Sequence, residues 1–186
     1  MRNRKLEIKN KYLIFPVNTL STKKTLTFKR NCETVYQINI KLDNCNPNFY
    51  AYIDVSRFIG QTMDIIVSPD MKLEFREADE MKIDNLYHEP MRPQVHFTTK
   101  NGWINDPNGL VYIDGIYHMF YQYNPTEPHW DNMHWGHAVS SDLIHWEEKD
   151  VALFPDERGT MFSGSAILDD KNLLGKNVGD NKAALL

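Results

Sequence analysis

Apolar and polar positions alternate along much of the chain's first half. Tyr36, Ile38, Ile40 and Leu42 fall on one side of an extended segment and Gln37, Asn39 and Lys41 on the other, the two-residue period of a half-buried strand. Residues 49–55 alternate in the same way, and residues 44–48 between them carry Pro47 and three Asn, which is turn chemistry. Residues 25–28, 63–67 and 72–75 read as further short strands. Short strands at this spacing predict a small β-sandwich over 11–78. Residues 79–92 lose the alternation and gather charge and Pro90, so a linker is expected over 79–91. Beyond it, residues 110–113 and 116–123 flank Asp114-Gly115, the pair a type I′ hairpin turn prefers. Strands at 135–140 and 144–147 would complete a four-stranded meander of about 45 residues, the size of one propeller blade. Residues 162–168 then read as the first strand of a second blade. Asp106 and Ser163, 57 positions apart, would begin equivalent strands. The expected fold is all-β.

Composition narrows the function classes. With 186 residues, 41% of them hydrophobic and 12% aromatic, the chain has the material for a packed core. The formal net charge is -4, but residues 1–30 hold nine Lys/Arg against Glu7, so they carry +8 and the remainder -12. Those 30 residues show no aromatic run or nucleic-acid motif, so no nucleic-acid partner is expected and residues 1–10 read as a solvated basic leader. Behind that basic start, residues 12–15 supply four apolar positions before Pro16, short of a secretory h-region of about 7–15 residues. No run approaches the roughly 18 apolar residues of a membrane span. Cys32 and Cys45 stand 13 apart, fitting neither a CxxC redox pair nor a zinc pair; two buried free thiols or a disulfide are the readings left open. His129, His134 and His137 form a cluster, but strand residues three apart face opposite ways, so no metal is expected, and no cofactor. Trp135 and Trp146 read as packing residues of the blade, and Tyr50 and Tyr52 as core or surface aromatics or a sugar-stacking face. Residues 182–186 start an apolar run and stop within it, so the chain is expected to be truncated.

One segment carries candidate chemistry. In Trp103-Ile-Asn-Asp-Pro-Asn-Gly109, Asp106 stands between Asn105 and a Pro-Asn-Gly turn, just ahead of an apolar strand. Asp-Pro and Asn-Gly are ordinary turn pairs; the other reading is a nucleophilic or charge-stabilising carboxylate, kept ionised by the Asn105 amide and backbone donors and walled by Trp103.

This segment resembles the signature of glycoside hydrolase family 32, the β-fructosidases that include invertases, levanases and inulinases. Arg92-Pro-Gln-Val-His-Phe97, Tyr117-His-Met-Phe-Tyr-Gln-Tyr-Asn-Pro125, Asn132-Met-His-Trp-Gly-His-Ala138, Ser141-Asp-Leu-Ile-His-Trp146 and Phe162-Ser-Gly-Ser165 extend the likeness across residues 92–170. The resemblance implies a five-bladed β-propeller over 92–186, incomplete in this sequence, and a retaining double displacement on fructans or sucrose with Asp106 as nucleophile. It also implies that Asn105, Gln122, Trp130, Phe162 and Ser163 line the fructose pocket. Residues 11–18 and 49–58 resemble the small β domain found ahead of the propeller in some bacterial members. The family's Arg-Asp-Pro motif and its Glu-Cys motif, whose glutamate is the acid/base, are absent from the 186 residues, so this chain is expected not to turn over substrate alone. A non-catalytic carbohydrate-binding protein and a transfructosylase are the alternatives. A polymeric fructan cannot cross a membrane intact, so the parent enzyme is expected to be exported, the alternative being a small substrate met in the cytoplasm.

Overall fold

The computed structural model describes residues 3–179 and 182–186. Its elements are β1 (Asn3–Glu7), β2 (Tyr12–Val17), β3 (Lys24–Arg30), β4 (Glu33–Ile40), β5 (Phe49–Asp54), a 3₁₀ turn (Ser56–Phe58), β6 (Thr62–Ser68) and β7 (Arg76–Ala78), then β8 (Trp103–Ile113), β9 (Ile116–Asn124), β10 (His134–Ser140), β11 (Glu147–Leu153), β12 (Ile167–Leu168) and β13 (Ala184–Leu185). The fold is all-β.

The first seven strands form two sheets, ordered β1-β6-β3-β4 and β5-β2-β7. Leu13, Phe15 and Ile53 from one sheet and Leu26, Phe28, Ile38 and Ile65 from the other share a single buried cluster, so two inner faces close on one core as in a sandwich. The alternation read in β4 is realised: Tyr36, Ile38, Ile40 and Leu42 are all buried. Three local readings change. Residues 72–75 form no strand, and the short strand is Arg76–Ala78, set against Tyr12, Leu13 and Ile14. Within the supposed basic leader, β1 pairs antiparallel with β6 and Ile8 is fully buried; net charge hid the apolar pair Leu6 and Ile8, which pack on the core. Cys32 and Cys45 are free but exposed, not buried. Cys32 sits at the β3–β4 turn with φ 69 beside Asn31 with φ 51, and Cys45 lies in a loop where Asp43 holds its amide.

The second half is an antiparallel meander, β11-β10-β9-β8. Asp114 and Gly115 take φ values of 48 and 86, the left-handed pair of a type I′ turn. The fourth strand runs Glu147–Leu153, later than the expected 144–147. Asp142 explains the delay: its carboxylate accepts the Ile144 and His145 amides, and its charged form is held far below the usual carboxylate range, first by the His145 side chain, so these residues form a turn. The expected strand at 162–168 is confined to Ile167–Leu168, paired with β13.

The sandwich docks on the meander. The Tyr36 hydroxyl meets His134 Nε2 at 2.8 Å, and the Arg57 guanidinium lies 3.7 Å from the Phe154 ring centroid. Because Asn132 offers only a carbonyl to His134 Nδ1, at 2.5 Å, Nδ1 carries the proton and Nε2 accepts from the phenol. Burial pushes the His134 imidazole down to about 3, so it is neutral.

Candidate active site

Asp106 owes its position to a fault in the ladder. Asn105 lies opposite Gln122 and Pro107 opposite Tyr121, so Asp106 is the extra residue of a β-bulge. Pro107 favours such an interruption, and a bulge re-aims the side chain it carries. A second irregularity follows between Asn108 and Val111, where Gly109 adopts φ 56 against Trp135 and Phe120. Asp106 is exposed as a result, while its neighbours Asn108 and Gly109 are buried.

Segment 161–164 is then bonded to β8, β9 and β10. Gln122 Nε2 donates to the Met161 carbonyl at 2.8 Å, Trp135 Nε1 to the Phe162 carbonyl at 3.0 Å, and the Gly109 amide to the Gly164 carbonyl at 3.0 Å. These bonds bring the Ser163 hydroxyl to 3.4 Å from Asp106 Oδ2. The Phe162 and Trp130 rings stand 6.5 Å apart, 68% and 54% exposed, so both keep free faces for stacking. An open groove of about 620 Å³ runs between residues 107–110 and 163–166.

Of the residues singled out in the sequence, Asp106 and Ser163 meet, and so do Trp130 and Phe162. Two others are engaged elsewhere. Asn105 Oδ1 accepts from the Trp103 indole at 2.8 Å, so its amide oxygen serves the tryptophan, and the side chain that reaches the Asp106 carboxylate is Ser163. Gln122 is 2% exposed and anchors Met161. The shared face of His118, Phe120 and Gln122 is realised: His118 Nδ1 lies 3.0 Å from His137 Nε2, and Phe120 stacks on His137. Burial, His118 and Lys149 together push His137 down to about 4. His134 and His137 thus serve different partners on opposite faces. The docking of segment 161–164 through Trp135 and Gln122 escaped the sequence reading, because main-chain acceptors leave no mark on composition.

Residues 96–182 match the model described as Glycosyl hydrolases family 32 N-terminal domain. The chain is 57% identical over 96 residues to the levanase of Bacillus subtilis, a match covering 52% of this chain and 14% of the relative. It is 50% identical over 101 residues to the fructan beta-fructosidase of Streptococcus mutans, covering 54% of this chain and 7% of that one. The crystal structure of exo-inulinase from Aspergillus awamori aligns at 47% identity over 53% of this chain and 20% of its own, with a TM-score of 0.48. This chain therefore spans at most about a seventh of the two curated relatives' length.

Proposed function

We propose that the chain supplies the nucleophile half of a fructosyl pocket in a retaining β-fructosidase, with Asp106 as nucleophile. In this reading residues 11–78 form an N-terminal sandwich domain, 79–91 a linker, and 92–186 the first blade and the opening of the second in a five-bladed propeller. The observation that carries it is the bulge at Asp106, which turns a carboxylate onto an open face beside Ser163, with two exposed aromatic rings on the crossing segment and the loop facing it. Asn105, Gln122, Trp130, Phe162 and Ser163 line the pocket, with Gln122 acting in part through its hold on Met161.

The chemistry follows from a single exposed carboxylate. An Asp106 oxygen attacks the anomeric carbon of a β-fructoside, forming an ester bond as the glycosidic C–O bond breaks; the electron pair leaves on the departing oxygen, which needs a proton. Water then attacks the same carbon and releases fructose with net retention. The proton donor of such pairs stands about 5–5.5 Å from the nucleophile, and the family's Glu-Cys and Arg-Asp-Pro motifs do not occur in these 186 residues. General acid catalysis contributes about 10²–10⁴-fold, so the chain alone is expected to release no fructose from sucrose, inulin or levan. Measured fructose release that disappears in Asp106→Asn would overturn the inactivity and support the nucleophile; release that survives Asp106→Asn would overturn both. The exposed Trp130 and Phe162 rings favour a second reading, carbohydrate binding without turnover. Levan retardation of the chain in affinity electrophoresis, with no covalent fructosyl adduct on Asp106, would select it.

A further inference from the structure

We propose that the N-terminal sandwich sets the position of Trp130, and that Asn132 is the positioning residue through which it does so; the proposal rests on the reading of Trp130 as a sugar-facing ring. β4 is an edge strand of its sheet, and an open edge normally needs cover. Asn132 covers it at Asn39 with one side chain, and the Pro155 carbonyl accepts the Gln37 amide at 3.5 Å. The Asn39 amide donates to Asn132 Oδ1 at 2.7 Å, and Asn132 Nδ2 donates back to the Asn39 carbonyl at 2.5 Å, so the amide takes the place of a neighbouring strand residue. Asn132 is buried with φ 45, a backbone setting that Asn tolerates better than most residues. Its Nδ2 also reaches Thr126 Oγ1 at 3.0 Å, and its carbonyl accepts the His134 Nδ1 proton.

The rest of loop 125–133 is tied in the same direction. Lys41 pairs with the buried Glu127 at 3.2 Å, and Lys23 pairs with Asp131 at 2.5 Å. At the loop's base Asn124 Nδ2 grips the His129 carbonyl at 2.8 Å. Residues 127, 131 and 132 are therefore held by the sandwich and residue 129 by the loop's own base, while the Trp130 ring between them faces Phe162. Ordering a loop on ligand binding costs conformational entropy. Here the sandwich has already ordered it, so its contacts act on affinity for the sugar and not on the Asp106 chemistry.

The test uses the 186-residue chain labelled with 5-fluorotryptophan, whose four ¹⁹F resonances report Trp103, Trp130, Trp135 and Trp146, with Trp130 assigned by Trp130→Phe. Asn132→Gly keeps the left-handed backbone accessible and deletes the amide; Asn132→Asp keeps the acceptor for the Asn39 amide and loses the donor. The expected result is that Asn132→Gly moves the Trp130 resonance toward that of free fluorotryptophan, Asn132→Asp moves it part of the way, and the other three stay. An unmoved Trp130 resonance in Asn132→Gly overturns the proposal. If all four move because the chain unfolds, Lys23→Gln decides instead, at a half-exposed site: a shift of Trp130 alone supports the proposal and no shift overturns it. Titration with a levan oligosaccharide separates the underlying reading. Sugar should move the Trp130 resonance and bind about tenfold more weakly to Asn132→Gly, as lost preorganisation implies; a Trp130 resonance that answers to Asn132→Gly and ignores the sugar refutes the sugar contact and leaves the positioning intact.

Discussion

Asp106 and His134 show how differently single residues reveal themselves. The turn pairs around Asp106 mark a carboxylate at a strand entrance, so the residue was legible in the sequence. The bulge that exposes it was not, since a ladder fault depends on the partner strand's register. His134 reads in sequence as one of a cluster of three histidines, whereas the fold gives it a fully buried place between Tyr36 and Asn132. That burial has a measurable consequence. Its pKa falls from 6.5 to about 3 on folding, so between those pH values the unfolded chain binds the extra proton. Stability from this group is complete above pH 6.5 and is lost as pH falls toward 3, by on the order of 2 kcal/mol between pH 7 and 5. His137, lowered to about 4, adds in the same direction, while Glu148, raised by burial, opposes it in acid. Urea unfolding at pH 7 and 5 should show the loss, and His134→Gln should remove about half of it, the share left by His137 being of similar size; an unchanged pH slope in that variant contradicts the assignment. At the pocket rim, Trp130→Ala should abolish any levan retardation of the chain in affinity electrophoresis, and undiminished retardation counts against the ring's role.

At the scale of elements, period-two alternation located most strands, and the departures share a cause: pairing depends on partners that a local pattern does not show. The β8–β9 hairpin was legible because Asp114-Gly115 dictates its own turn. β11 begins late because the Asp142 side chain captures amides that a ladder would otherwise use, and β1 escaped because its five residues are dominated by charge and its pairing lies about 60 residues away, with Asn3 opposite Ile66. Gly136 lies opposite Tyr121 in β9, and a methyl group there would run into the Tyr121 ring. Gly136→Ala should therefore destabilise the meander by about 1–3 kcal/mol, the usual cost of overpacking. Gly115→Asn, at a turn position with no neighbour within 4 Å, should change stability far less, because Asn accepts the left-handed setting. Denaturant midpoints for the two variants compare them directly; equal midpoints contradict the packing account.

Across the whole molecule, a sandwich with its own core grips the loop that carries Trp130, and two segments 57 positions apart meet at Asp106. The sequence does not show the second as a contact, since it leads one to expect Asp106 and Ser163 at the starts of equivalent strands; Ser163 lies ahead of the short strand Ile167–Leu168. The first was invisible, because it runs through the Asn39 backbone, the Asn132 side chain and two ion pairs between residues about 90 to 110 positions apart. Elsewhere Ile167, Leu173, Leu174 and Leu185 are exposed and line one open apolar hollow. The native chain should bind an apolar dye such as ANS, and Leu173→Ser with Leu174→Ser should lower that fluorescence; an unchanged signal would place the binding elsewhere. In the proposed reading the bulge and the crossing segment assemble Asp106 as a nucleophile. β-Fructosyl fluoride tests it most directly, since fluoride departs without a general acid and the missing proton donor ceases to matter. Mass spectrometry of the chain after incubation should show one added fructosyl unit, mapped to Asp106 and absent from Asp106→Asn; an adduct on another residue, or none on the folded chain, contradicts the account.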